Sequence, residues 1–272
     1  MDALRQVADW PAHTAAAGVV SATAELGAVG PRDETLAWAS VTKLLTALAI
    51  LVAVEEGVVD LDEPAGPPGS TLRHLLAHAS GLALDEVVPL APPGRRRIYS
   101  NAGIQVAADL VESAAEMPFR DYLSRAVLEP LHLAGRLRTS PAWGYAGPLD
   151  DLLTLGRELL APTLVAPETL AEATTVQFRG LVGVLPSYGR MEPNDWGLGF
   201  ELRNAKSPHW TGSRNSTATF GHFGAAGTFL WADPDAGVAC GALTDLEFGD
   251  WAKEAWPRLS DAVLSEASSA IG

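Results

Sequence analysis

The chain has 272 residues, 47% of them hydrophobic and 19% charged, with a formal net charge of -14. That length buries one large core or two small ones, and the ordinary charged and aromatic fractions exclude wholesale disorder. So acidic a surface repels nucleic acid and anionic membrane, which removes both from the expected partners.

In chain order, residues 2–9 predict a short helix. Two strand-like runs follow, at 15–23 and 26–29, with turn residues around Gly30-Pro31-Arg32-Asp33, and a third short strand is expected at 35–39. Next comes a helix over 41–56, apolar nearly all round and closed by Gly57, as expected for a helix buried in the core. Residues 64–70 read as a Pro/Gly loop and 71–78 as a short helix. Helical periodicity returns at 103–115, 119–127, 149–160 and 167–173. Beyond Val176 the pattern turns to short strands at 197–202, 218–220, 228–232 and 238–243, before a final helix over 251–267. Strands at both ends with helices between them predict an α+β fold. One sheet is built from both termini (1–60 and 176–272), is flanked by the 41–56 and C-terminal helices, and carries an inserted helical lobe over 61–175. A cleft between two such lobes is a usual place for an active site.

The single cysteine, Cys240, rules out an intrachain disulfide and sits in an apolar stretch that suits a buried thiol. The first ten residues carry acids and no basic region followed by an apolar core. The longest uncharged apolar run, 44–54, is shorter than the roughly 20 residues that span a bilayer. A cytoplasmic chain is expected, unless an export leader has been removed.

Lysine is scarce: three of the 19 basic residues, Lys43, Lys206 and Lys253. Lys43 lies near the start of the most apolar helix, three residues after Ser40. Positions i and i+3 share a helix face about 5–6 Å apart at Cβ. A serine hydroxyl is a weak nucleophile until a base takes its proton, and a desolvated lysine loses its charge easily enough to be that base. Backbone N–H groups at a helix start also suit a developing oxyanion. By itself S-x-x-K is a common spacing, and a lysine at a helix end can simply snorkel to water.

Two later segments add to it. Tyr99-Ser100-Asn101 follows the basic run Arg95-Arg96-Arg97 and precedes a helix. A tyrosine in a cationic site can be held as phenolate, whereas its plain structural use is a half-buried ring with Asn101 as a helix cap. The arginines read as a solvated run. Gly221-His222-Phe223-Gly224-Ala225-Ala226-Gly227 precedes a strand; its small residues permit close backbone approach and its histidine can carry a proton or bind a carboxylate. Its plain alternative is a glycine-rich strand junction with a surface histidine.

The order S-V-T-K, Y-S-N, H-F-G resembles the serine β-lactamase and penicillin-binding-protein superfamily, in the branch of class C β-lactamases, D-Ala-D-Ala carboxypeptidases and related esterases. The connectors Val54-Glu55-Glu56-Gly57-Val58-Val59-Asp60-Leu61-Asp62, Leu72-Arg73-His74-Leu75-Leu76-Ala77-His78-Ala79-Ser80-Gly81-Leu82 and Trp196-Gly197-Leu198-Gly199-Phe200 are similar to that branch as well. The resemblance implies a β-lactamase/transpeptidase-like fold. It implies Ser40 as nucleophile, Lys43 and Tyr99 sharing acid/base work, and Asn101 bonding Lys43 and substrate. His222 stands where many relatives have the lysine of K-T-G, beside Gly224. The backbone N–H groups of Ser40 and Ala225 form the oxyanion hole, and His78 and Ser80 are structural. No metal or organic cofactor is implied. His74 and His78 have the spacing of a zinc helix, but no glutamate follows His74 and no third ligand is apparent. No G-x-S-x-G is present, which leaves the α/β-hydrolase elbow without support.

The expected function is acyl transfer to water through a Ser40 acyl-enzyme, on a small-molecule ester or amide, in an intracellular esterase or small amidase. The alternatives are a β-lactamase or D-Ala-D-Ala carboxypeptidase, for which H-F-G is a departure, and a non-catalytic binding protein on the same fold. Substrate identity and oligomeric state stay open.

Overall fold

The computed structural model describes residues 1–271. Asp2–Asp9 forms a 3-10 helix rather than an α-helix. Strands β1 (Ala15–Ser21), β2 (Glu25–Val29) and β3 (Leu36–Ala37) follow. A 3-10 turn, Ala39–Val41, leads into α1 (Thr42–Glu55). The middle of the chain holds α2 (Leu72–Leu76), α3 (Asn101–Ala115) and α4 (Phe119–Leu123), which continues as a π-helical turn to Leu128. Then come β4 (Arg136–Leu137), β5 (Tyr145–Gly147), α5 (Leu149–Leu160) and α6 (Pro167–Ala173). The hairpin β6 (Gly183–Leu185) and β7 (Gly189–Met191) precedes β8 (Glu201–Leu202), β9 (Phe220–Gly224), β10 (Thr228–Asp233), β11 (Val238–Thr244) and α7 (Asp250–Ile271).

The expected α+β architecture is present. The main sheet is antiparallel, in the order β2-β1-β11-β10-β9-β8, so strands from both ends of the chain meet at its centre. Side chains alternate between its faces, as the strand period of two requires. Ala16, Val20, Leu230, Ala239 and Leu243 face one core, and Ala17, Val19, Phe229, Trp231 and Cys240 face the other. The N-terminal 3-10 helix and α7 supply Leu4, Val7, Trp256, Leu259 and Val263 to that second core. Cys240 is fully enclosed there, and burial pushes its thiol up.

The first core holds α1, whose Leu44, Leu45, Leu48, Ile50 and Leu51 are wholly buried. Burying each such side chain contributes about 1.5–3 kcal/mol, which fixes the helix that presents Lys43. Its end is closed by Gly57 at φ 72°, in the left-handed conformation expected after a helix C-terminus.

The expected inserted lobe over 61–175 includes α5, and here the contacts differ. α5 packs on β1, β10 and β11 of the main sheet. Two strand glycines make room for it: a Cβ on Gly18 would lie 2.7 Å from a Leu153 methyl, and one on Gly241 would lie 2.6 Å from a Leu152 methyl. The helical segment that packs away from the sheet is therefore α2 to the π-helical turn. The expected strand 197–202 is also shorter. Gly197 to Phe200 forms a turn, with the Gly197 N–H donating to Phe200 O, because Gly199 packs its backbone onto Ala47 of α1. No described helix is long and apolar enough to cross a membrane.

Candidate active site

Ser40 sits in the 3-10 turn ahead of α1, after Ala39, which adopts φ 44°. A non-glycine residue in that region is strained and worth noting beside a candidate site. Trp38 anchors the turn: its N–H donates to Tyr145 O and its indole to Gly147 O. On the other side, Thr228 Oγ1 donates to Trp38 O, and Gly224 at the end of β9 lies against the same peptide. A Cβ on Gly224 would come 2.6 Å from Trp38 O and 3.0 Å from Ala39 Cβ, so only glycine lets β9 approach Ser40 this closely. The β9–β10 ladder ends at the Gly224–Thr228 pair, which leaves Ala225 beyond it, beside Ser40 on the wall of the same pocket.

Lys43 is 1% exposed. Its Nζ lies 3.2 Å from Ser40 Oγ, 2.7 Å from Asn101 Oδ1 and 2.8 Å from Ala142 O. Burial holds its pKa well below the lysine value of 10.5, against a smaller opposite pull from Asp85. Two neighbouring threonines of α1 place the Ala142 carbonyl. Thr42 Oγ1 accepts from Tyr145 N, and Thr46 Oγ1 donates to Pro141 O, which clamps the 140–145 loop along the helix.

The Tyr99 hydroxyl donates to Ser40 Oγ at 2.8 Å. Of the two forms open to Tyr99, the phenolate is disfavoured here. Burial pushes the Tyr99 hydroxyl up, so it is a neutral donor. Asn101 is not a cap. Ser100 caps α3, its Oγ accepting from Gly103 N, which frees the Asn101 side chain. The Asn101 amide donates to Asp85 Oδ1 at 2.8 Å while its carbonyl oxygen faces Lys43. His78, buried and at φ 53°, accepts from Ser100 N through Nδ1 and stacks on Tyr99, so it helps shape the segment that carries Tyr99 and Asn101. His74 instead joins Thr71 in a capping box at the start of α2, so the two histidines serve different partners. The expected solvated run of arginines holds for Arg95 and Arg96 only. Arg97 is buried, and its guanidinium donates to the carbonyls of Ala77, Gln177, Phe178 and Asn194.

His222 lies in β9 and is 2% exposed, not on the surface. Its Nδ1 is 2.7 Å from Phe223 O. A carbonyl only accepts, so Nδ1 carries the ring proton and Nε2 does not. Burial, aided by Lys43, pushes the ring pKa down to about 3, and the imidazole is neutral. Nε2 is enclosed and has no partner. Tyr99 and Trp196 stand beside the ring. Behind them, Glu201 and Lys206 form a buried ion pair, with the His209 ring and the Trp210 indole on Glu201 Oε2.

The pocket in front of Ser40 has a volume of about 360 Å³. Ser40, Tyr99, Asn101, His222 and Ala225 line it, so five of the seven sequence-predicted site residues face one cavity; Lys43 and Gly224 form its floor through the contacts above. Asp85, Ala142 and Trp196 are among the residues that sequence reasoning left out of the site. A hydroxyl held between a buried amine and a phenol, beside backbone N–H groups, can be activated for attack on a carbonyl.

A family model described as Beta-lactamase matches residues 10–264, and the chain belongs to this family of serine hydrolases on the β-lactamase fold. Among solved structures, the chain is 53% identical to one described as a beta-lactamase from Mycobacterium bovis, covering 97% of this chain and 99% of that one with a TM-score of 0.96. It is 18% identical to EstCE1, described as a hydrolase with promiscuous acyltransferase activity, covering 97% of each chain with a TM-score of 0.81. It is also 18% identical to simvastatin synthase from Aspergillus terreus, covering 96% of each chain with a TM-score of 0.80. The last two likenesses concern the fold alone. A search of curated proteins found no match.

Proposed function

We propose that the chain is a serine hydrolase that forms an acyl-enzyme on Ser40 and acts on a small ester or amide. The observation that carries this reading is the set of partners around Lys43 Nζ. Asn101 Oδ1 and Ala142 O can only accept, so each takes one N–H from the amine. A neutral amine has two N–H bonds and one lone pair. With both bonds spent, the lone pair is left for the Ser40 hydroxyl, and burial favours that neutral form.

Acylation then runs as follows. The Ser40 O–H bond breaks, its proton passes to Lys43, and Oγ bonds to the substrate carbonyl carbon. The backbone N–H groups of Ser40 and Ala225 hold the oxyanion, a contribution worth about 10²–10³ in rate per donor. The intermediate collapses as the bond to the leaving oxygen or nitrogen breaks, and the Lys43/Tyr99 pair returns the proton to that atom. Water reverses the sequence: it gives a proton to the pair, adds to the acyl carbon, and Ser40 leaves with its hydrogen restored.

A second reading, β-lactam hydrolysis, is supported by the 53% identity to the Mycobacterium bovis beta-lactamase structure. Treatment with a fluorophosphonate, then with p-nitrophenyl esters and a chromogenic cephalosporin, separates the readings. The expected outcome is a label mapped to Ser40 by mass spectrometry, with ester turnover and little cephalosporin turnover. Absence of label on Ser40 refutes the hydrolase and favours a binding protein, and dominant cephalosporin turnover favours the second reading.

A further inference from the structure

The residues lining the pocket include no lysine or arginine. The position that lysine occupies in K-T-G relatives holds His222, whose only ring proton is bound to Phe223 O and whose other nitrogen is a lone pair. A carboxylate needs donors, and this side chain offers none. The charged groups that do border the cavity are acids: Glu247 on its wall, and Asp85 hydrogen-bonded to Asn101 at its edge. Lys43 lies beneath the pocket with its N–H groups already committed.

The mouth is also apolar. Leu84, Leu185, Trp196, Phe223 and Phe248 line the cavity. The 82–90 loop is pinned beside α3, since Leu84 O accepts from the N–H groups of Asn101 and Ala102. It leaves Leu84, which lines the cavity, exposed. Leucine and aromatic side chains on the walls of a cavity suit an apolar ligand group.

We propose that this site selects uncharged esters with an apolar acyl chain and rejects substrates bearing a carboxylate near the scissile carbonyl. The inference rests on the Ser40 reading above. A carboxylate entering the cavity would meet no cation on its walls, only neutral donors such as the Ser187 hydroxyl, and would face two like charges. An aliphatic chain would leave water against the leucine and aromatic walls.

The test compares p-nitrophenyl butyrate, the p-nitrophenyl methyl diester of succinic acid, and p-nitrophenyl hemisuccinate, which differs from the diester by one negative charge. The expected kcat/KM for the hemisuccinate is lower than for both neutral esters by about tenfold or more. Glu247→Lys, on the exposed rim, and His222→Lys are each expected to narrow that ratio by raising hemisuccinate turnover. Equal turnover of diester and hemisuccinate, with Ser40 labelled by fluorophosphonate, overturns the selectivity and leaves the Ser40 reading standing. Labelling of Ser40 without turnover of any of the three esters does the same. A chain that neither labels nor turns over ester overturns both.

Discussion

Lys43 has three partners, and two of them can only accept a hydrogen bond. In the proposed mechanism that arithmetic makes its protonation state the control on Ser40. A protonated lysine has no lone pair, so inactivation by fluorophosphonate should be slow at low pH and rise as Lys43 loses its proton. Burial lowers that titration, so the rate should level off below pH 10.5, the ordinary lysine value. A stopped series of labelling rates against pH checks this, and an inflection at or above 10.5 contradicts the assigned base. Asn101→Ala removes one of the two acceptors and leaves an amine N–H unpaired in a buried place. The expected loss in kcat/KM is about tenfold to a hundredfold, with little change in the far-ultraviolet spectrum. At this scale the sequence is most legible where chemistry resides in a side chain: Ser40, Lys43, Tyr99 and Asn101 meet as expected. Ala142 was hidden because a backbone carbonyl has no residue signature. Asp85 was hidden because an exposed loop aspartate looks like any other acid until Asn101 is placed beside it. The phenolate form open to Tyr99 in a cationic site lacks its cation, because Arg97, close in sequence, turns its charge away toward four carbonyls.

Two elements hold the site together, and each suggests a variant. β9 reaches Ser40 only because Gly224 lacks a side chain. Gly224→Ala should push the strand off Trp38, displacing the Ala225 N–H. The expected result is a fall in kcat of about tenfold or more with a modest drop in Tm, since losing one oxyanion donor is worth about 10²–10³. Steady-state kinetics beside a thermal melt distinguishes this from simple unfolding. β8 carries Glu201, whose buried carboxylate is paired with Lys206. Lys206→Met leaves that charge uncompensated and should cost about 3–5 kcal/mol in urea unfolding, because a half-broken buried pair is worse than none. Helices longer than a few turns were read well, and α5 and α6 have their expected bounds, since an amphipathic period is written in the sequence itself. The short strand expected at 35–39 is present as β3, whereas β4 and β5, of two and three residues, exist only by virtue of what they pair with, and no local pattern announces them.

Across the whole molecule, one sheet divides two cores, and the first core is shared by the sheet, α1 and the helices that lie beyond it. Leu230 and Ala239 of the sheet, Leu48 of α1, and Leu75, Ile104 and Leu123 of the outer helices belong to one contiguous cluster. The chain should therefore unfold in urea as one unit, with tryptophan fluorescence and far-ultraviolet circular dichroism superimposing. Two separated transitions would show the outer helices to be an independent unit. Acid stability follows from Glu201. Burial by itself would raise its pKa, but Lys206 and His209 hold it down at about 2. A carboxylate lowered on folding stabilises the native state above its unfolded value and loses that contribution as pH falls toward the folded one. The melting temperature should thus drop between about pH 4.3 and pH 2, and Glu201→Gln should flatten that part of the profile.

The pairing of β1 with β11, from Ala15 opposite Thr244 to Ser21 opposite Val238, also constrains how the molecule is made. Translation delivers Ser40 and Lys43 well before the strands β9, β10 and β11. Until Thr244 clears the exit tunnel, β1 pairs with β2 alone and its other edge is open. A nascent chain that has not yet released Gly224 carries Ser40 and Lys43 without the β9 wall of their pocket. The pocket in front of Ser40 is thereby left incomplete until β9 has been made.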